Sequence, residues 1–290
     1  VSVILEARVA SGALRESTRN GYSANVRLHL RPSLGHVGLT KVTPADVDSF
    51  IATKRAEGYS SNSLRIMRTT LRKALVDAQR SGLVMRNAAQ LSEPVSVSRR
   101  ASSWLDEAQA RRLLDQVRGD RLEALYVVLL SLGLRRGEAL ALRWSDIDLE
   151  RGTVRIGRSL GRVQNTPVSD GTYPGGRKTR LVFGSPKTTD SWRTQNLPNP
   201  CIDSLLSHRH QQHAERLSAE SWGIEDLVFT TPTGTPIDPA NLAKWFSAHC
   251  VKAGLGHRNP HQLRHSAATI MLAQGVPLHE VGDVLGSDDP

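Results

Sequence analysis

A histidine and an arginine are spaced so that both could reach the same anion. His261 and Arg264 lie three residues apart, about one helical turn. Asn259 and Pro260 precede them and form a helix-start signal, which places the pair near a helix N-terminus. Spare N–H groups and the helix dipole favour negative charge there. The spacing therefore indicates an anion site, although an ordinary surface helix fits this short stretch equally well.

A second charged pair follows a strongly apolar segment. Residues 126–134 predict a buried helix, and Arg135 and Glu138 come directly after it. On an exposed helix such a pair would be a weak ion pair. Beside a core, Glu138 is better placed to hold the guanidinium of Arg135 in one orientation. Arg135 and Arg264 would then supply two bidentate donors for phosphate oxygens. Lys187, at a predicted strand turn, adds a mobile proton donor.

A helical domain with a small sheet has to position these side chains. Apolar periodicity predicts further helices from Leu105 and over residues 139–144, 201–216, 240–253 and 279–285. Alternation and turn residues predict three short strands around residues 153–156, 181–183 and 193–197. We expect these strands to form one antiparallel sheet, with residues 165–178 as a loop or hairpin tip. The predicted fold class is therefore mainly α with a small antiparallel β-sheet (α+β).

The N-terminal third predicts a smaller helical domain with a basic face. Three helices are expected, the second capped by Thr43 and the third by serines after residue 58. The third helix has an apolar face, and Arg65, Arg68 and Arg72 repeat on an adjacent stripe. Like charges on one face repel one another unless an anion is present, and DNA phosphates are the natural candidate. Solubility alone is the plain alternative.

The charge distribution supports a division into two domains. The 290 residues include 38 Lys and Arg against 28 Asp and Glu, a formal net charge of +10. Residues 1–97 hold 14 of the basic and 7 of the acidic residues, so most of the excess lies there. This asymmetry indicates a dedicated polyanion-binding half. Residues 92–103 are rich in serine and show no periodicity, which predicts a linker between domains 1–97 and 98–290.

Several other classes of protein fit the sequence poorly. Two cysteines, Cys201 and Cys250, are too few for a disulfide framework and indicate a reducing cytosol. His208, His210 and His213 match no zinc spacing, so we expect an exposed helix and no metal. No apolar run is long enough to cross a membrane, and no export signal is recognisable. We therefore expect a soluble, cytoplasmic protein.

The longer motifs resemble those of the tyrosine recombinases, the phage integrase family. Residues 132–148, LGLRRGEALALRWSDID, resemble the first arginine box of that family. Residues 185–198 resemble its lysine hairpin, and residues 261–269, HQLRHSAAT, its second box. In order and approximate spacing the resemblance covers residues 104–290. Residues 28–44 are more loosely similar to the helical core-binding domain of the family.

This resemblance implies an activity and a role for each site residue. It implies a C-shaped clamp of two domains around duplex DNA and a phosphoryl transfer that needs no metal, ATP or other cofactor. A tyrosine attacks the phosphodiester and forms a 3′-phosphotyrosyl intermediate. By position, Arg135 and Arg264 would bind the non-bridging oxygens and stabilise their charge. Lys187 would protonate the leaving 5′-oxygen, and His261 would act in general acid–base transfer. Glu138 would support the site.

Two positions depart from the pattern of the family, and a third is expected to have a structural role. Ser287 occupies the place of a His or Trp that contacts the phosphate in the family. Since serine donates one hydrogen bond and carries no charge, weaker phosphate binding is expected there. His265 is expected to pack inside and to have a structural role. The nucleophilic tyrosine expected shortly after Ser287 is missing, because the tyrosines are Tyr22, Tyr59, Tyr126 and Tyr173.

The missing tyrosine leaves three explanations open. The nucleophile could lie on a tail beyond the given sequence, or the chain could be a natural truncation that occupies DNA sites without cutting them. Tyr173 could also be the nucleophile. This explanation is disfavoured because Tyr173 lies in a loop between two boxes, which has a structural role of its own. The sequence also shows none of the arm-binding domain that often precedes the core-binding domain in this family.

The sequence thus predicts site-specific DNA recombination by a phage or mobile-element integrase. The expected partners are double-stranded DNA attachment sites and further copies of the chain. We expect a homotetramer on paired sites and a monomer away from DNA. The residues predicted to contact the DNA backbone are Arg65, Arg68, Arg72 and Lys41. The alternatives are a truncated, non-catalytic DNA-binding regulator and a type IB topoisomerase, which shares the chemistry.

Overall fold

The chain forms two compact units. A computed structural model describes residues 16–97, 104–165, 173, 176–184 and 192–286. The units span Val1–Ser102 and Ser103–Pro290, and each has its own hydrophobic core. The division falls at the end of the serine-rich stretch 92–103. The roles assigned to the two parts of the chain stay predictions.

The described part of the first unit is built from helices. They are α1 (Glu16–Asn25), α2 (Arg31–Leu34), α3 (Pro44–Ala56), α4 (Ser61–Arg80) and α5 (Ala88–Leu91). A π-helical turn, Val26–Leu30, joins α1 to α2, and a 3-10 turn, Leu39–Lys41, precedes α3. The helix predicted between residues 18 and 34 is therefore present, with one wider turn in its middle.

Side-chain caps begin α3 and α4 where the sequence predicts them. The hydroxyl of Thr43 accepts the backbone N–H of Asp46, whose carboxylate accepts the N–H of Thr43 at 2.8 Å. The hydroxyl of Ser60 accepts the N–H of Ser63 at 3.2 Å. Each cap satisfies donors that a helix start leaves unpaired. The predicted apolar face of α4 lies in the core and contains Leu64, Met67, Leu71 and Leu75.

The second unit combines helices with short antiparallel strands. Its helices are α6 (Glu107–Gln116), α7 (Glu123–Leu132), α8 (Arg136–Ala139), α9 (Asn199–Ser218), α10 (Pro239–Lys252), α11 (His261–Ala273) and α12 (Leu278–Leu285). Its strands are β1 (Ile147–Asp148), β2 (Thr153–Ile156), β3 (Ser159–Gln164), β4 (Thr179–Gly184) and β5 (Arg193–Asn196). The predicted α+β fold class is confirmed.

The strands form two sheets instead of the single sheet predicted. Strands β1, β2 and β5 make a three-stranded antiparallel sheet, and β3 pairs with β4 in a separate hairpin. Strand β5 therefore pairs with β2 and makes no ladder with residues 181–183, contrary to the prediction. Leu160 and Phe183 face each other across the hairpin, and both pack on the core. Local alternation cannot show which strands pair, because tertiary packing sets the register.

The helix predicted over residues 139–144 is not formed. Helix α8 ends at Ala139, and only a 3-10 turn follows at Trp144–Asp146. The carbonyl of Leu142 accepts the N–H of Val228 at 3.0 Å, and Trp144 donates to the carbonyl of Asp226 at 2.8 Å. These long-range bonds occupy backbone groups that a helix would need. The apolar run shows that this segment is buried. In so short a run, periodicity cannot distinguish a buried helix from another buried conformation.

Helix α7 lies at the centre of the second unit. It is buried along almost its whole length and packs against α6, α9 and α11. Gly133 ends it in the left-handed conformation, with φ at 58°. A Cβ at this position would overlap Cδ2 of Leu285, so glycine allows the end of α12 to lie directly against the end of α7. Arg264 bonds to the carbonyls of both residues, so the candidate site includes this contact.

The histidines of α9 do not share one exposed face. Nε2 of His208 bonds to the carbonyl of Val228 at 2.7 Å, and its ring lies between Trp144 and Phe229. The expectation of an exposed helix is therefore wrong for His208, although His210 and His213 are exposed. Among the described residues, no group of three metal-ligating side chains is present. No helix in these ranges is long and apolar enough to cross a membrane.

Candidate phosphate-binding site

Two of the predicted site arginines meet at the last turn of α12. Arg264, on α11, donates to the carbonyl of Gly133 at 2.8 Å and to the carbonyl of Leu285 at 2.6 Å. Nη2 of Arg135 donates to the next carbonyl, that of Gly286, at 3.2 Å. Because Leu285 and Gly286 are consecutive, the two guanidinium groups lie side by side. The fold thus brings together boxes that are more than a hundred residues apart in sequence.

Glu138 holds Arg135 from the opposite side. Its Oε1 accepts Nη1 of Arg135 at 2.9 Å, and its Oε2 accepts the backbone N–H of Arg135 at 3.0 Å. The carboxylate side chain is only 4% exposed, whereas that of Arg135 is 40% exposed. Burial alone would raise the pKa of Glu138, but the charge of Arg193 and hydrogen bonds from Arg135 outweigh it and lower the pKa. The group is therefore a buried anion that orients Arg135.

A third arginine, to which the sequence motifs assign no chemical role, completes the cluster. Arg193 opens β5 and donates through Nη2 to Oε2 of Glu138 at 3.1 Å. Its Nε donates to the carbonyl of Val284 at 3.0 Å, and Gln195 donates to the same carbonyl. Its place within residues 185–198, which resemble the lysine hairpin, is the sequence signal that could have drawn attention to Arg193. A buried arginine requires acceptors, and these come from distant parts of the chain.

The cluster carries more positive than negative charge. Burial and the neighbouring charge of Arg135 lower the pKa of Arg264 to about 10, so the group remains protonated at neutral pH. Among the described residues, Glu138 is the carboxylate that accepts hydrogen bonds from Arg135 and Arg193, beside three guanidinium groups. A site with this excess of guanidinium charge favours an anion, and planar guanidinium groups match phosphate oxygens.

His261 lies at the first position of α11, one turn before Arg264. Its backbone N–H donates to Oδ1 of Asn259 at 3.0 Å, which confirms the predicted helix start. The residue is largely exposed, but partial burial of its ring and the charges of His265, Arg264 and Arg135 lower its pKa. The imidazole is therefore neutral near pH 7 and able to accept a proton.

His265 does not pack inside as expected. It is exposed, and its ring stands edge-on to that of His261 with 5.1 Å between the centroids. Ser266 occupies the buried side of the helix instead, where its Oγ accepts the N–H of Leu105 at 2.7 Å. The helical period explains the difference, because positions one residue apart point about 100° away from each other.

Some predicted residues cannot be placed. Lys187 and Ser287 lie outside the described residues, so the geometry of the lysine hairpin and of the position after Gly286 is not part of the site described above. Tyr126 is fully buried in the core, and burial raises the pKa of its hydroxyl. It is therefore not available as a nucleophile.

The predicted DNA-contacting side chains of the first unit fall into two kinds. Arg65 and Arg72 on α4 and Lys41 are exposed. Arg68 donates through Nε to the hydroxyl of Ser92 at 3.0 Å and through Nη2 to its carbonyl at 2.7 Å. Arg68 is thus held by the chain after α5, whereas Arg65 and Arg72 stay exposed.

The fold and the cluster of Arg135, Arg193 and Arg264 define a protein with a site suited to bind an anion such as a phosphate group. The chain belongs to the phage integrase family, whose family model matches residues 103–174 and 193–289. The predicted membership is confirmed.

Relatives with known names agree with this assignment. The chain is 32% identical over 241 residues to a tyrosine recombinase XerC-like protein of Caldanaerobacter subterraneus subsp. tengcongensis, covering 79% of this chain and 60% of that protein. It is 32% identical over 263 residues to an integrase of Streptomyces ambofaciens, covering 89% of this chain and 65% of that protein. The chain thus spans about two thirds or less of the length of these two relatives.

Solved structures support the fold. The Tn1549 transposon integrase in complex with a circular intermediate DNA matches with a TM-score of 0.81 and 18% identity, over 99% of this chain and 91% of that one. A lambda integrase dimer bound to a core site matches with a TM-score of 0.69 and 15% identity, over 99% and 74%. At these identities the similarity establishes a shared fold.

Proposed function

We propose that this protein is a site-specific tyrosine recombinase of the phage or mobile-element integrase type. The observation that carries the proposal is the meeting of Arg135 and Arg264 at the end of α12, with Glu138 and His261 beside them. Family membership makes DNA phosphodiesters the anion to expect at this cluster. The related integrase structures were solved with DNA, which supports the same substrate.

The arrangement suits phosphoryl transfer through a covalent intermediate. In the proposed reaction a tyrosine oxygen bonds to phosphorus, and the bond from phosphorus to the 5′-oxygen breaks. Arg135 and Arg264 stabilise the negative charge that grows on the non-bridging oxygens. The neutral imidazole of His261 accepts the proton of the nucleophile, and Lys187 protonates the leaving 5′-oxygen. Ser287 adds one uncharged hydrogen bond to the phosphate.

The partners belong to the proposal as well. The exposed side chains of Arg65, Arg72 and Lys41 are suited to bind DNA phosphates. Arg68 is less suited, because it donates to the carbonyl of Ser92 in the same unit. We include a clamp of both units around the duplex and a homotetramer on paired sites, as expected from the sequence. A lambda integrase tetramer has been solved on a Holliday junction, which supports this assembly. The proposed place of action is bacterial DNA in the cytoplasm.

The test begins with the DNA site. Repeated selection from a random duplex library on the immobilised protein gives a preferred sequence, and a binding gel in a salt series measures its affinity. A nicked duplex of that sequence is then incubated with the full-length natural protein and run on a denaturing gel. We expect a covalent adduct that Arg135→Ala and Arg264→Ala abolish while most of the DNA binding remains.

Other outcomes would contradict recombination. Cleavage that survives either arginine substitution at the wild-type rate would remove the site from the mechanism. Sequence-specific binding with no adduct from the full-length protein would favour a non-catalytic regulator. Relaxation of supercoiled DNA without sequence preference would favour a type IB topoisomerase.

A further inference from the structure

A closed ring of hydrogen bonds surrounds the arginine site. Oε1 of Glu138 accepts Nη1 of Arg135, and Nη2 of Arg135 donates to the carbonyl of Gly286. The backbone leads back from there to Val284, whose carbonyl accepts Nε of Arg193 at 3.0 Å. Nη2 of Arg193 returns to Oε2 of Glu138 at 3.1 Å. Each member is therefore held from two sides.

Arg193 connects the sheet to both helical parts of this ring. Its backbone is fixed in the three-stranded sheet, where it pairs with Ile156 of β2. Its side chain, 8% exposed, reaches Glu138 on α8 and Val284 on α12. A guanidinium holds several donors in fixed directions in one plane, so it can bridge two acceptors, whereas an ammonium is a point charge on a flexible stem.

The buried carboxylate makes this bridge consequential. Both oxygens of Glu138 are occupied, Oε1 by Arg135 and Oε2 by the backbone of Arg135 together with Arg193. A buried carboxylate with fewer donors is less stable as an anion. Arg193 supplies both a positive charge and a hydrogen bond that lower the pKa of Glu138. Without Arg193 the carboxylate would be less favoured as an anion and would hold Arg135 less firmly.

The end of α12 is the shared acceptor of the cluster. Three consecutive carbonyls, those of residues 284, 285 and 286, accept Arg193, Arg264 and Arg135 respectively. Carbonyls at a helix C-terminus have no partner within the helix and carry partial negative charge, so cations suit them. Displacing this turn would remove acceptors of all three arginines at once.

We propose that Arg193 is a positioning residue, which orients Arg135 through Glu138 and makes that orientation depend on the docking of the last turn of α12. The ring is made of groups of this chain alone. The proposal therefore rests on the proposed function only for the group that Arg135 binds, and the positioning itself can be tested without DNA.

The test compares Arg193→Gln and Arg193→Lys in the full chain. Arg151→Gln is the matched control, because its side chain is 85% exposed and lies 3.8 Å from Asp148. Nitrogen-15 relaxation of the Nε–H group reports the mobility of Arg135, and carbon-13 NMR reports the titration of Glu138. We expect Arg193→Gln to increase the mobility of Arg135 and to raise the pKa of Glu138, and the control to change neither.

The lysine variant separates charge from bridging. A lysine keeps the positive charge beside Glu138, so we expect a smaller rise in the pKa of that carboxyl than with glutamine. A single ammonium cannot bond to Glu138 and to the carbonyl of Val284 in the same geometry, so Arg135 should still become more mobile. If the glutamine variant does not fold, the lysine variant carries the same test of Arg135. Unchanged mobility of Arg135 in a folded variant, with an unchanged Glu138 titration, overturns the proposal.

A second measurement connects the ring with cleavage. On the selected duplex we expect Arg193→Gln, made in the full-length natural protein, to lower the cleavage rate by about tenfold, by analogy with the loss seen when residues that orient metal ligands are changed. DNA affinity should stay unchanged, and the loss should be greater at acidic pH, where Glu138 protonates more readily. If the NMR changes occur but the full-length natural protein forms no adduct, the positioning role stands and the recombinase function fails.

Discussion

The guanidinium of Arg264 donates to the carbonyl of Leu285 at 2.6 Å, so a side chain from the start of α11 caps the end of α12. The same guanidinium reaches the carbonyl of Gly133 at the end of α7. One buried arginine thus joins three helix ends. The phosphate site and the packing of the second unit depend on the same contacts.

Arg264 makes two hydrogen bonds, to the carbonyls of Gly133 and Leu285. We therefore predict that a positive charge alone at this position does not preserve the stability of the fold. In Arg264→Lys, one ammonium cannot hold the carbonyls of Gly133 and Leu285 in the same geometry, so we expect unfolding free energy to fall by about 1–3 kcal/mol. Urea denaturation followed by a signal from the second unit measures it. Arg216→Lys, in an exposed pair with Glu225, is the control and should change little. Equal stability of the two variants would show that the Arg264 bonds do not hold the helix ends.

The close approach of α7 and α12 predicts a cost for any side chain at Gly133. Gly133→Ala places a Cβ against Leu285 in a left-handed backbone conformation, so we expect a loss of about 2–4 kcal/mol. Gly119→Ala shares the positive φ but meets no atom within 4 Å, and so measures the backbone cost alone. A larger loss at 133 than at 119 in urea denaturation is the expected result. Equal losses of unfolding free energy would mean that α12 moves away from the new methyl group at no measurable cost.

The environment of His261 predicts a titration below its ordinary value of 6.5. Since the folded state binds this proton less readily than the unfolded state, the group destabilises the fold as pH falls below that value. Proton NMR of the imidazole should show the lowered midpoint, and inorganic phosphate should raise it by adding negative charge. His265→Ala should also raise it, because a neighbouring positive charge is removed. His210→Ala, on the exposed face of α9, should leave it unchanged, and a midpoint at or above 6.5 would contradict the prediction.

The two kinds of arginine on α4 predict different phenotypes. Arg68→Ala removes two bonds to Ser92, so we expect hydrogen exchange to increase around α5, with a loss of about 1–3 kcal/mol. Arg72→Ala should leave stability nearly unchanged, but it should lower the salt dependence of DNA binding by about one phosphate contact. Binding gels in a salt series check the second effect. The prediction is wrong if both variants behave alike.

The sequence by itself determined the local features of this protein. Thr43 and Ser60 predict helix starts because a hydroxyl at that position pairs a free backbone N–H, whatever lies elsewhere. The motifs around Arg135 and Arg264 were sufficient to predict the family, since their residue types and order are specific. The apolar periodicity of α4 likewise predicted which of its faces is buried.

Only the tertiary structure decided how distant segments meet. Arg193 gained its place from the pairing of β5 with β2, and the segment after α8 lost its predicted helix to hydrogen bonds with residues 226–228. His265, expected to be buried, is exposed, and the next residue, Ser266, is buried, because a single step of the helical period separates the two directions. Backbone acceptors such as the carbonyl of Leu285 leave no trace in residue types, because every residue has one. Their use by the arginines depends on packing between elements, which a linear sequence does not display.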